Sequence, residues 1–278
     1  MPSFRYVVAD VFTDTPLSGN QLAVFTDARG LDDAKMQALA LEIGFSETVF
    51  VLPPETGGTV RIRIFSPFVE LPFAGHPTLG AAFVLGAPLQ LGVITLETGR
   101  GHVPVVLERD DSGRIVFGRM EQPIPTVVPF ERDAELFEAL GVSGSELPVE
   151  RYDNGATHVF VALRSEEELA GLQPDIAAVA AFGVTGVNCF TGSDERWTTR
   201  MFWVSGEDPA TGSAAGPLAC HLARHGQVEW GTELTISQGV AVGRPSTLYA
   251  RAEGGAGRID RVEVGGQAVT VARGEFRL

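Results

Sequence analysis

Hydrophobic and polar positions along the chain fall into many short period-two segments and a few longer stretches with helical spacing. Residues 6–12 read as a strand, 14–20 carry turn chemistry, and 21–25 return as a second strand. From about Asp32, Met36, Leu39, Ala40 and Ile43 recur at helical spacing, and Gly44 is the expected stop. Strands are predicted over 46–52 and 60–65. A glycine-bearing loop, 72–75, then opens an apolar helix running to about Leu85. Further strands are expected at 93–97, 103–108 and 114–118. Beyond Pro123, Pro125 and Pro129, short helices are predicted near 133–140, 165–171 (Ser165 with Glu168 as a capping box) and 175–182. Strands near 187–190 and 198–203 lead to a second glycine loop with its helix, about 212–225, and strands close the chain. Hairpin-like spacing points to mixed or antiparallel sheets wrapped around one apolar helix per half, not to the regular alternation of a doubly wound sheet.

The two loops sit at one fixed offset. Arg63-Ile64-Phe65, Glu70, Pro72 and Gly75-His76 recur 137 residues later as Arg200-Met201-Phe202, Glu207, Pro209 and Gly212-Ser213. Residues 19–25 echo 155–161, and 96–101 echo 234–239. With 278 residues in all, the simplest account is a duplicated domain. The halves are expected at 1–122, able to be completed by a C-terminal strand at about 266–278, and at 123–265. Positions where they disagree, such as Leu71 against Asp208 and His76 against Ser213, are where chemistry is sought.

Composition narrows the function. An apolar share of 44% with 20% charged residues is that of a globular protein. A net charge of −14 argues against nucleic acid or an anionic membrane as partner. The first residues lack an apolar leader, no stretch approaches the roughly 18 apolar residues of a membrane helix, and two cysteines, Cys189 and Cys220, suit a reducing compartment. The expected location is the cytoplasm.

Each loop puts glycine at the mouth of a helix, where unpaired N–H groups and the dipole attract a carboxylate or phosphate. Glycines serving only close helix packing are the plainer alternative. Glu47 is the candidate base: alternation leaves it on a strand with no polar face, so desolvation is expected to raise its pKa towards a useful value. An exposed Glu on an edge strand is the alternative. His76, at a helix mouth, is expected to be neutral, as a hydrogen-bond partner or a simple packing residue. Asp208 precedes Pro209 and reads either as a site residue or as an Asx turn. Ser213 lacks the order of a nucleophile elbow and reads as a hydrogen-bond donor. His221 and His225 stand four apart, but no third ligand suggests itself. No metal and no nucleotide or other cofactor is expected.

Taken together, Ser46-Glu47-Thr48, the block from Glu70 through Pro72-Phe73-Ala74-Gly75-His76-Pro77 to Gly80, and Asp208-Pro209-Ala210-Thr211-Gly212-Ser213 resemble the PhzF family along the whole chain. The resemblance implies the α+β, diaminopimelate-epimerase-like fold. Two pseudo-symmetric halves, each a curled sheet around a central helix, would hold the active site in the cleft between them, and the assembly would be a homodimer. Thiol racemisation as practised in that superfamily is not expected, because Ala74 and Thr211 occupy the two thiol positions. The implied activity is the cofactor-free isomerisation of trans-2,3-dihydro-3-hydroxyanthranilate to the aminoketone precursor of phenazines. By position, Glu47 would move the proton, and His76, Asp208 and Ser213 would orient and polarise the substrate. Ser46, Ala74, Gly75, Thr211 and Gly212 would line it, with backbone N–H groups on its carboxylate. Two alternatives stand beside this: an isomerase or epimerase of another small amino or hydroxy acid, and a non-catalytic protein that binds a small acid.

Overall fold

The small and apolar residues after Ala74 form a helix, Gly75–Leu89, whose residues from Gly75 to Phe83 are all buried. A helix apolar on every side must be enclosed, and eight strands enclose this one. The computed structural model describes residues 1–255 and 257–278 and divides the chain into two units, one of Met1–Glu121 with Gly265–Leu278 and one of Gln122–Val264.

In the first unit the strands lie side by side in the order Ile115–Glu121, Gly101–Arg109, Val93–Thr98, Val60–Phe65, Glu47–Leu52, Asn20–Phe25, Ser3–Val11 and Ala268–Arg277. Neighbours are antiparallel except at two places, Val60–Phe65 with Val93–Thr98 and Asn20–Phe25 with Glu47–Leu52. The helix packs on strands from both ends of that order, so the sheet curls around it. Close approach is built in at Gly80, where a Cβ would meet Leu22 at 2.6 Å and Val11 at 2.7 Å.

The second unit repeats the plan. Its order is Thr126–Pro129, Glu150–Asp153, Thr157–Ala162, Gly186–Ser193, Arg196–Trp203, Glu233–Gln238 and Ser246–Gly255. The two parallel pairings recur at the corresponding places, and helix Gly212–Arg224 packs on Ser246–Gly255 and Thr157–Ala162.

The repeated Arg and Glu form the same clamp in each unit. Arg63 grips Glu70 through Nε (2.7 Å) and Nη2 (2.6 Å), and Arg200 grips Glu207 through Nε (3.1 Å) and Nη2 (2.7 Å). Each guanidinium also covers a phenylalanine two residues on, Phe65 at 5.1 Å and Phe202 at 5.0 Å. These bidentate pairs tie a long strand to a two- or three-residue one, Glu70–Leu71 or Gly206–Asp208, and thereby fix where each glycine loop begins.

Differences from the sequence reading are local. The first central helix continues past Leu85 to Leu89, because a proline in its last turn removes only one hydrogen bond; left-handed Gln90 then closes it on the Gly86 carbonyl. The strands Thr126–Pro129 and Glu150–Asp153 were not expected; each is four residues long, too short for alternation to register. Among the described residues, no helix is long and apolar enough to cross a membrane.

Candidate active site

The first helix mouth has no side-chain cap. Ala74 is extended, and its carbonyl accepts from the Thr78 hydroxyl at 2.7 Å. The N–H groups of Gly75 and His76 have no intrahelical acceptor, and Pro77 contributes none. Beside them lies Glu47, the first residue of its strand, paired in register with Leu22. That strand is flanked on both sides by others, so Glu47 is not on an edge, and its side chain is only 15% exposed.

Glu47 Oε2 stands 3.4 Å from His76 Nε2. On the other side of the ring, His76 Nδ1 meets the Asn20 amide nitrogen at 3.2 Å, and the Asn20 carbonyl oxygen accepts from Ser46 Oγ at 3.1 Å. With the Asn20 amide turned this way, Nδ1 is the acceptor and the ring proton is assigned to Nε2, the nitrogen on the Glu47 side of the ring. Burial, opposed by the backbone at Gln21, pulls the His76 pKa down to about 3. The ring is therefore neutral at physiological pH, and desolvation is the leading cause.

The second mouth is organised differently. Asp208 ends its strand, buried, and accepts from the Thr211 hydroxyl at 2.6 Å. Gln238 holds that arrangement from the neighbouring strand: its amide nitrogen donates to the Asp208 carbonyl (2.8 Å) and Thr211 Oγ1 (2.9 Å), and its oxygen accepts from the Thr211 N–H (3.0 Å). Ala214 and Ala215 donate their N–H groups to the Thr211 carbonyl, leaving those of Gly212 and Ser213 at the opening. Ser213 Oγ lies 2.9 Å from His158 Nε2, and His158 Nδ1 lies 3.3 Å from the Asn188 amide nitrogen. Burial, partly offset by the Asp153 charge, pulls the His158 pKa down to about 3. With the Asn188 amide in this orientation Nδ1 accepts and Nε2 donates to Ser213 Oγ, an arrangement for hydrogen bonding rather than for removal of the serine proton.

Ser46, Glu47, Ala74, Gly75 and His76 therefore gather at one mouth, and Asp208, Thr211, Gly212 and Ser213 at the other. Asn20, His158, Asn188 and Gln238 were not singled out in advance. One of them had a legible signal: aligning 19–25 with 155–161 sets His158 against Leu22, a polar residue against a core position of the other half.

The expectation that His221 and His225 lack a third partner is corrected by the structure. Glu150, 71 residues before His221, places Oε2 at 3.3 Å from His221 Nδ1 and 3.0 Å from His225 Nε2. The Tyr152 hydroxyl donates to the same oxygen (2.9 Å), and Arg224 reaches Oε1 (3.3 Å). Burial alone would raise the Glu150 pKa, but these donors outweigh it and hold the group ionised. With a guanidinium already balancing the carboxylate, the cluster reads as a satisfied buried anion. Cys220, lower on the same helix, is pushed up to about 12 by burial and stays a thiol.

The family model for PhzC-PhzF, phenazine biosynthesis-like protein, matches residues 9–274. A Pseudomonas fluorescens protein named trans-2,3-dihydro-3-hydroxyanthranilate isomerase is 51% identical over 277 residues, covering 99% of each chain. A crystal structure of a Bacillus anthracis phenazine biosynthesis protein of the PhzF family superposes with a TM-score of 0.86 over the full length of both chains at 25% identity. A hydroxyproline epimerase from Agrobacterium vitis, 14% identical, shares the fold over 98% of this chain and 92% of its own with a TM-score of 0.66. The doubled, helix-centred sheets thus carry a PhzF signature from end to end, and the chain belongs to the PhzC-PhzF family of phenazine biosynthesis-like proteins.

Proposed function

We propose that this protein is a trans-2,3-dihydro-3-hydroxyanthranilate isomerase, producing the aminoketone precursor of phenazines by proton transfer. The full-length 51% identity to proteins of that name supports the substrate. The observation that carries the chemistry is the Glu47–His76 pair: a largely shielded carboxylate whose Oε2 lies 3.4 Å from Nε2 of a neutral imidazole. In this reading Glu47 removes the ring C3 proton and returns the same proton at C1, so the carboxylate begins and ends ionised. His76, kept neutral, stabilises the carboxylate without taking up the proton itself. Asp208 and Ser213 orient and polarise the amino and hydroxyl groups, and N–H groups around Gly75 and Gly212 receive the substrate carboxylate. One carboxylate suffices for the transfer, so the proposal includes no cofactor. It also includes a homodimer, which sedimentation would test, and a cytoplasmic location.

The test is incubation with trans-2,3-dihydro-3-hydroxyanthranilate, following absorbance and product mass. Glu47→Gln should lose about 10²–10⁴ in turnover, the usual worth of a positioned base, while keeping the wild-type circular dichroism spectrum. Most of the turnover surviving in that variant removes Glu47 from the role. Inertness of the wild type, with deuterium exchange into another small amino or hydroxy acid, would reassign the substrate.

A further inference from the structure

We propose that His158 is a positioning residue that holds the Ser213 hydroxyl as a hydrogen-bond donor toward the substrate. The inference rests on the reading of Ser213 as a substrate contact and adds what controls it. Ser213 is the second residue of helix Gly212–Arg224, where its oxygen can act as acceptor, as donor, or as both. Which role it takes is decided by the group behind it.

That group is an imidazole fixed from two sides. His158 belongs to strand Thr157–Ala162, is fully buried, and stands in register with Gly186 on the adjoining parallel strand. Two residues along that neighbour, Asn188, itself buried, presents its amide nitrogen to His158 Nδ1 at 3.3 Å. An amide N–H aimed at Nδ1 requires a lone pair there, which puts the ring proton on Nε2, 2.9 Å from Ser213 Oγ. The serine oxygen then receives a hydrogen bond from behind, and its own hydrogen is left to point away from the ring. The rest of the turn is held too: Gln122 donates to the Gly212 carbonyl (2.8 Å) and Asn154 to the Ser213 carbonyl (3.0 Å), so the serine backbone has little freedom to compensate.

The first unit uses the same device with its parts exchanged. There an asparagine, Asn20, also faces Nδ1 of a buried histidine, but that histidine, His76, sits on the helix mouth itself. In the second unit the mouth residue is a serine and the imidazole comes from the strand, so the asparagine–imidazole relay is preserved while the group at the mouth changes from N–H to O–H.

The partner on the substrate is an oxygen with a free lone pair, a carboxylate or hydroxyl of the small acid. The experiment is a double-mutant cycle on turnover of trans-2,3-dihydro-3-hydroxyanthranilate with Ser213→Ala, His158→Leu and the pair, together with His158→Gln, whose side-chain amide keeps a donor near the Nε2 position. His158→Leu should lower kcat/KM about 5- to 30-fold, the usual worth of one or two hydrogen bonds. His158→Gln should recover to within about threefold, and His158→Leu should cost nothing further once Ser213 is alanine. Equal loss in both backgrounds, or no rescue by glutamine in a folded variant, overturns the proposal. If Ser213→Ala alone leaves turnover unchanged, the reading of Ser213 fails instead. Should His158→Leu not fold, long-range proton–nitrogen NMR of the wild type decides: the His158 resonance must show a protonated Nε2 and a bare Nδ1, and the opposite tautomer sinks the idea.

Discussion

Two imidazoles sealed into the two units make stability fall with acid from about pH 6.5 downward. His76 and His158 have folded pKa values of about 3, set chiefly by burial, against about 6.5 in an unfolded chain. Between those values the unfolded chain binds protons that the folded one refuses. The contribution is complete above pH 6.5 and is lost as pH drops towards 3. At pH 5 each histidine should have cost about 2 kcal/mol, growing by about 1.4 kcal/mol for every further pH unit. His221 is pulled down in the same direction by its burial, against the hydrogen bond to the Glu150 carboxylate, and adds to the slope of the second unit. Depressed carboxylates such as Glu97, held low by three backbone N–H groups against its desolvation, act only below their unfolded value of about 4.3. The assay is urea unfolding at pH 7.5, 6 and 5 at constant ionic strength. All three tryptophans, Trp197, Trp203 and Trp230, belong to the second unit, so their fluorescence reads the part that holds His158, while circular dichroism reads both. His158→Gln should shrink the fluorescence-detected acid loss by about 2 kcal/mol at pH 5 and leave the first unit's loss in place. A wild-type midpoint that stays level from pH 7.5 to 5 would refute the sealed, neutral state of these rings.

The Arg clamps should differ in worth although they look alike. Arg200→Met leaves Glu207, whose side chain is 9% exposed, without its cation and also strands the Leu169, Ala170 and Leu172 carbonyls; it should cost about 3–5 kcal/mol in urea unfolding. Arg63→Met faces the more open Glu70, 41% exposed, and should cost nearer 1 kcal/mol. Gly80→Ala should destabilise the first unit by about 1–3 kcal/mol, since the new methyl runs into Leu22 and Val11; an unchanged melting temperature would mean the sheet yields there.

Much of the fold was legible because duplication supplied an internal control. Arg63 with Glu70 and Arg200 with Glu207 recur at one offset, and the structure shows why: the spacing is the reach of one clamp across a tight turn. Glycine at each helix mouth was legible for a similar reason, since a helix start carries local punctuation. Asn20, Gln238 and Glu150 were not, because each acts on residues far along the chain: Asn20 on His76 over 56 positions, Gln238 on Thr211 over 27 and Glu150 on His221 over 71. Hydrogen bonds of that kind leave no periodic trace; only the pairing of strands brings them together. For His76 the sequence pointed to neutrality through the helix mouth, whereas the structure places burial first.

The last long strand, Ala268–Arg277, lies against Ser3–Val11, nearly the whole chain apart. On the ribosome this settles an order of completion. The second unit, contiguous in sequence, has emerged once Val264 is made, while the first waits for Ala268–Arg277 to pair with Ser3–Val11. Stalled translation just short of Ala268 should therefore yield a molecule whose later portion resists protease and whose earlier portion is cut.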